Sequence, residues 1–280
     1  MPNPWLHRFA ILLAIGALLL IVNGALVGPG AQPASAMLSA HRTAATVVSL
    51  STLGLVLWLV FTDPRPQARR LGWITLAIAV LQDSVGHTAV RSIFPITAGI
   101  LHALMAPLFF AALVAIAVVT SPAWSRGPEH VSDYGWPSMR SLAIMTPILV
   151  LVQITLGACF RQNALTLLPH VLGAMFVALV ILLESIFVLQ QFAGHRALRP
   201  VAKTLLGVAF GQVFLGLTAL TMKSMADNTA MPVVTTVAAH VTGGAITLAS
   251  TIVLSMLIRR NVQPRVEEED EEDLEAPAAG

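Results

Sequence analysis

Charge is what this sequence has least of: Asp, Glu, Lys and Arg make up 11% of its 280 residues, against 56% hydrophobic side chains and a mean hydropathy of +0.80. A soluble domain carries about 25% charged residues, so a lipid bilayer is the expected solvent for most of this chain. The single cysteine, Cys159, excludes an internal disulfide. Alternation of apolar and polar residues in segments of about ten, the mark of a barrel strand, is missing, which excludes a membrane β-barrel. There is no glycine-rich nucleotide loop and no serine or cysteine hydrolase motif. No nucleic-acid partner is expected.

What is present is a series of apolar runs of about 20 residues, each long enough to cross the hydrocarbon core as a helix. Eight such spans are read, at 9–27, 43–61, 71–90, 97–120, 141–160, 166–190, 204–222 and 233–258. The expected fold is therefore all-α and polytopic, with eight transmembrane helices. Arg8, Arg65, Arg69, Arg70, Arg126, Arg140, Arg196, Arg199, Lys203, Arg259, Arg260 and Arg265 fall on one side, and only Arg42, Arg91, Arg161 and Lys223 on the other. By the positive-inside rule both termini are cytoplasmic. A multi-pass protein of a bacterial or archaeal-type cell membrane is the expectation. His7, Arg8, the first apolar run and Ala34-Ser35-Ala36 also resemble a cleavable signal, but the run is long for that role, and the first span is read as retained. The almost wholly acidic run Glu267–Glu275 reads as a solvated, disordered tail.

Four of the eight histidines, His41, His102, His170 and His240, lie at or just inside the outer end of an even-numbered span, forming one layer in depth. Ionisable residues inside a membrane are costly and functional by default, although a single such histidine is more often a hydrogen-bonded core residue. Each is followed four residues later by a small residue, Ala45, Ala106, Ala174 or Gly244. That spacing would clear the helix face beside the imidazole for a flat macrocycle, or would serve ordinary helix packing. Two histidines from facing helices of a bundle can supply both axial ligands of a heme iron. The pairs are His41 with His102 and His170 with His240. With no Cys-x-x-Cys-His motif, any heme is non-covalent.

A repeat supports this pairing. Gln82-Asp83-Ser84-Val85-Gly86, Gln153-Ile154-Thr155-Leu156-Gly157 and Gln212-Val213-Phe214-Leu215-Gly216 share the pattern Gln-x-x-hydrophobic-Gly, and Asn23-Gly24-Ala25 is a weaker echo at comparable depth. Two pseudo-symmetric four-helix bundles follow as the most economical architecture. The division is 1–120 for the N-terminal bundle, 121–140 for a cytoplasmic linker, 141–260 for the C-terminal bundle and 261–280 for the tail.

These features, in this order, resemble the heme A synthase family: His41-Arg42, Gln153-Ile154-Thr155-Leu156-Gly157-Ala158 with Arg161, and Gln212-Val213-Phe214-Leu215-Gly216-Leu217-Thr218 leading to His240. The resemblance implies that His41 and His102 receive heme O as substrate while His170 and His240 hold heme b. It implies oxidation of a heme methyl group to a formyl group through a hydroxylated intermediate, using dioxygen and an external electron donor, in cytochrome oxidase assembly. A heme O synthase partner and a homo-oligomer are compatible with it. The sequence departs from the family at Leu38, which stands where the family has a glutamate three residues before the first histidine, and it lacks the family's paired outer-loop cysteines.

Asp83 and His87, four residues apart, are the candidates for a relocated proton relay or, failing that, a packing contact. Glu184 lies about 21 Å deeper than His170 along a helix and is expected to snorkel or pair with a loop cation. Arg42, beside a candidate ligand, is the best placed of the outer cations to clamp a heme propionate, ahead of Arg91, Arg161 and Lys223. His7, His130 and His195 read as surface residues. Two other functions remain open at this point: a b-type electron-transfer protein with bis-histidine heme, and a degenerate family member without catalysis.

Overall fold

The computed structural model describes residues 3–27, 35–133 and 136–264. The chain is an all-α polytopic membrane protein. Its long helices are α1 (Pro4–Leu26), α2 (Ser35–Thr62), α3 (Pro66–Gly86), α5 (Pro95–Thr120), α7 (Met139–Arg161), α8 (Leu167–Gln191), α9 (Leu198–Met225) and α10 (Met231–Asn261). Shorter pieces are α4 (Thr88–Ile93), α6 (Pro122–Ser125) and two two-residue strands, β1 (Val131–Ser132) and β2 (Val262–Gln263). Proline stands in the first turn of α1, α3, α5, α6 and α10, where its missing N–H costs nothing and its fixed φ favours the helical start. Asn3 caps α1, its Oδ1 accepting from the Trp5 and Leu6 amides.

Seven of these helices are long and apolar enough to cross a membrane. The eighth expected span coincides with α3, which has the length but carries Arg69 and Arg70 near one end and Gln82 and Asp83 near the other. It stops at Gly86, short of the expected limit at 90, because His87 is extended (φ −65°, ψ 140°) and caps the separate α4.

Packing follows chain order. Among the first four long helices, α1 and α3 each lie against both α2 and α5, and among the last four, α7 and α9 each lie against both α8 and α10. Thus α2 stands opposite α5, and α8 opposite α10. Helices α5 and α10 also pack on one another, α1 touches α10, and α5 touches α7. These two helices therefore form the centre, and Phe109, Leu113, Ile116, Leu248, Leu254 and Ile258 in them are core residues.

On the side where α1 begins and α10 ends, here the terminus side, a clasp joins distant segments. Strand β1 pairs in parallel with β2, the Glu129 amide donates to Asn261 Oδ1 (2.8 Å), and Arg260 donates to the Trp124 carbonyl (2.7 Å) with its guanidinium over that indole (4.0 Å). Residues 261–264, read from sequence as the start of the tail, are thus ordered by the linker; the acidic run itself lies outside the described residues. Asp63 is nearly buried and holds Arg65 through both carboxylate oxygens, with 2.9 Å from Nε and 2.6 Å from Nη2. This hydrogen bond keeps the Asp63 carboxyl below, and the Arg65 guanidinium above, its ordinary range.

Candidate functional site

Each of the four histidines lies against a glycine of the preceding long helix. A Cβ added to Gly24, Gly86, Gly157 or Gly216 would lie 3.0, 2.8, 2.9 or 2.9 Å from Cε1 of His41, His102, His170 or His240 in turn. Packed carbons approach to about 3.5–4.0 Å, so in these places only glycine leaves room for the ring. Here glycine serves close approach and not an unusual φ. Three of the four are the final residue of the Gln-x-x-hydrophobic-Gly repeat, which explains the motif: a turn of helix separates the polar residue from the seat, so both face the same neighbour.

The polar residue of each motif meets the same histidine. Asn23 Oδ1 is 3.1 Å from His41 Nδ1, and the Gln82 backbone carbonyl is 3.2 Å from His102 Nδ1. Both oxygens are acceptors, so each ring carries its proton on Nδ1 and leaves the Nε2 lone pair available; Gln82 Nε2 approaches that of His102 at 3.4 Å. In the second half the glutamines reach further. Gln153 Nε2 donates to the His170 carbonyl (2.8 Å) and lies 2.9 Å from its Nδ1, and Gln212 Nε2 donates to the His240 carbonyl (2.9 Å). Their amide oxygens lie against Gly173 and Gly243, where a Cβ would collide with them.

The imidazoles of His170 and His240, carried by the opposed helices α8 and α10, have ring centroids 6.2 Å apart and planes at 87°. His41 and His102 sit on the opposed helices α2 and α5, on equivalent seats. The four rings are all half-buried. His240 Nδ1 and the Gln82, Gln153 and Gln212 Oε1 atoms are buried without a protein hydrogen-bond partner. Among the described residues no group of three or more His, Cys, Asp or Glu side chains could hold a bare metal ion.

Several sequence expectations are corrected. Asp83 and His87 do not share a helical face, because the helix breaks between them; both are exposed, and His87 Nδ1 accepts from the Ala89 amide (3.3 Å) with no bond to Asp83. Glu184 does not snorkel: it is 1% exposed and both carboxylate oxygens lack a hydrogen-bond partner. His195 is no surface residue; it is 5% exposed, caps α9 by accepting from the Ala197 and Leu198 amides at Nδ1, and donates from Nε2 to the Glu129 carbonyl. Arg161 donates to the Ala25 carbonyl (2.9 Å), tying α7 to the end of α1, and Lys223 lies 5.1 Å from the Phe160 ring centroid. Arg42 and Arg91 are exposed, and Leu38 lies one turn before His41 on α2 at 37% exposure.

The glycine seats were the residues missed. Small residues on the histidine's own helix are not what the ring rests on, since it lies against the neighbouring helix; Gly244, four residues after His240, faces Gln212 instead. The available signal was the glycine at a fixed distance from the glutamine in three successive motifs.

Residues 25–114 match the model of a family described as cytochrome oxidase assembly protein, the heme A synthase family read from the motifs. The matched segment includes His41, His102 and one of the glycine seats, Gly86; Gly24, the other seat of that half, immediately precedes it. No curated protein matches the chain.

Proposed function

We propose that this chain is a heme A synthase-like membrane oxidoreductase of cytochrome oxidase assembly, built as two pseudo-symmetric four-helix bundles with eight spans and cytoplasmic termini. In this reading His170 and His240 hold heme b, and His41 and His102 receive heme O. The observation that carries it is the pair of imidazoles 6.2 Å apart across α8 and α10. Two imidazoles bound on opposite sides of one metal, at about 2 Å per bond, have centroids about 6 Å apart. The Nδ1–H tautomers of His41 and His102, which turn the Nε2 lone pair outward as the ligand atom, fit the same group, with Gln82 Nε2 the contact that His102 would exchange for it.

When bound, heme supplies the redox-active iron at which a methyl group is oxidised to a formyl group, with dioxygen and an external electron donor. The chain's residues fix the ligands. Glycine seats set how deep each ring lies; Asn23, Gln82 and Gln153 hold the rotation of theirs, as outer partners do at metal sites generally, and Gln212 fixes the backbone that carries His240. Arg42, exposed beside His41, is free to meet a heme propionate. With Leu38 in place of the family's glutamate and Asp83 parted from His87, the catalytic acid is unassigned.

The decisive experiment is to purify the protein from cells that also make heme O and to analyse the extracted hemes. Bound heme b and accumulated heme A are expected; heme O alone, with folded protein and oxygen present, would overturn the activity. Leu38→Glu in the same cells should raise the yield of heme A. Reversible reduction of bound heme without product would instead favour an electron-transfer role, which bis-histidine ligation at His170 and His240 suits.

A further inference from the structure

A second polar centre lies in the last four long helices, far from the histidine layer. Glu184 of α8 is 14 positions beyond His170, about 21 Å along the helix. It is 1% exposed, Ser185 beside it is fully buried, and neither Glu184 Oε1, Glu184 Oε2 nor Ser185 Oγ has a hydrogen-bond partner. Two features of α7 decide what chemical form this carboxyl takes. Thr146 is the polar side chain next to Glu184, and its hydroxyl, placed to donate to the Leu142 carbonyl (2.9 Å), offers Glu184 an acceptor in that position. Pro147, one residue on, lacks the N–H that would have bonded the buried Ala143 carbonyl, leaving a second acceptor on this part of α7. A carboxyl donates to such an acceptor only when it carries a proton.

No cation answers a carboxylate here. Helix α8 packs on α7 and α9. From α7, Arg140 is committed to the Arg259 and Val262 carbonyls and Arg161 to Ala25 at the opposite end. From α9, Arg199 and Lys203 are exposed and Lys223 lies by Phe160. Among the described residues the ion pairs are Arg65 with Asp63 and Arg196 with Glu129. An unpaired charge inside apolar packing is strongly disfavoured, whereas a hydrogen-bonded neutral acid is tolerated.

The row continues toward the terminus side. Gln191, two turns beyond Glu184 on the same face of α8, has a buried Oε1 without a partner. Buried polar atoms of this kind are ordinarily satisfied by ordered water. We propose that Glu184 is a proton-binding site within the second half of the chain, loaded from the terminus side past Ser185 and Gln191. The proposal does not rest on the heme reading. If both hold, the site would store a proton on the side from which a dioxygen-reducing reaction, which consumes protons, could draw one.

Infrared spectroscopy of the full-length protein in lipid nanodiscs at neutral pH tests this, comparing wild type with Glu184→Gln. A carboxylic-acid carbonyl band is expected in the wild type, missing from the variant, and shifting within minutes of transfer to deuterated water. Glu184→Asp should move the band without removing it, which covers failure of the Gln variant to fold. Spectra of wild type and variant that are identical in this region, or a band that never exchanges with deuterium, would overturn the proposal. Loss of the band should leave heme content unchanged, so its outcome is separable from that of the heme assignment.

Discussion

The two halves of the molecule solve one problem in two ways. In the last four long helices the residue three after each histidine is glycine, Gly173 and Gly243, and the glutamine's amide oxygen lies against it while its Nε2 reaches the histidine's backbone carbonyl. In the first four that position is Ala44 or Met105, and the Asn23 and Gln82 side chains engage ring nitrogens only, whereas Gln153 meets both the His170 carbonyl and its Nδ1. Anchoring a glutamine to a helix backbone makes the seat rigid; anchoring it to the imidazole makes ring and partner move together. A resident cofactor favours the first arrangement, and a group that must enter and leave favours the second.

Exchanging the histidines tests this difference most severely. His170→Ala or His240→Ala should abolish the bound heme b seen in the optical spectrum, while His41→Ala or His102→Ala should leave it and remove only the response to heme O. Uniform losses across the four would erase the distinction between halves. Next in size are the seats. Gly157→Val or Gly216→Val overpacks the ring, at about 1–3 kcal/mol, and heme titration should show binding weakened roughly tenfold to a hundredfold; Gly86→Val should act on heme O alone.

Smaller again is the glutamine contact. Gln153→Ala is expected to lower heme affinity by roughly tenfold, the low end for loss of an outer partner. Met105→Gly should make the first half imitate the second, letting Gln82 reach the His102 carbonyl and slowing release of heme O. The smallest effect lies outside both sites. The folded-state pKa of Asp63 is depressed from 3.8 chiefly by its hydrogen bond to Arg65, so its stabilisation is present above that value and lost as the pH falls through the lower folded value. Asp63→Asn should therefore melt a few degrees lower at neutral pH, a gap that closes in acid, with heme binding in either half unaltered.

Much of the fold was legible in the sequence because a bilayer imposes length and apolarity on each helix. The expected spans all coincide with long helices, and only α3, with polar residues at both ends, falls short of the hydropathy of a membrane span. Of the histidines, position along the chain was legible: each of the four stands within the first ten residues of its helix. The glycine seats were half visible, as a motif without a role. Asp83 with His87, Glu184 and His195 were misread because exposure depends on where a helix breaks or which face turns inward, and neither follows from position in a span.

By itself, then, the sequence determined the helical class, the approximate limits of the helices and the place of the four histidines along them, because these depend on composition along one dimension. Only the tertiary structure decided which rings meet, what they rest on and which carboxyl is sealed inside, because these depend on the rotation of each helix about its axis, and that is fixed by neighbours distant in the chain.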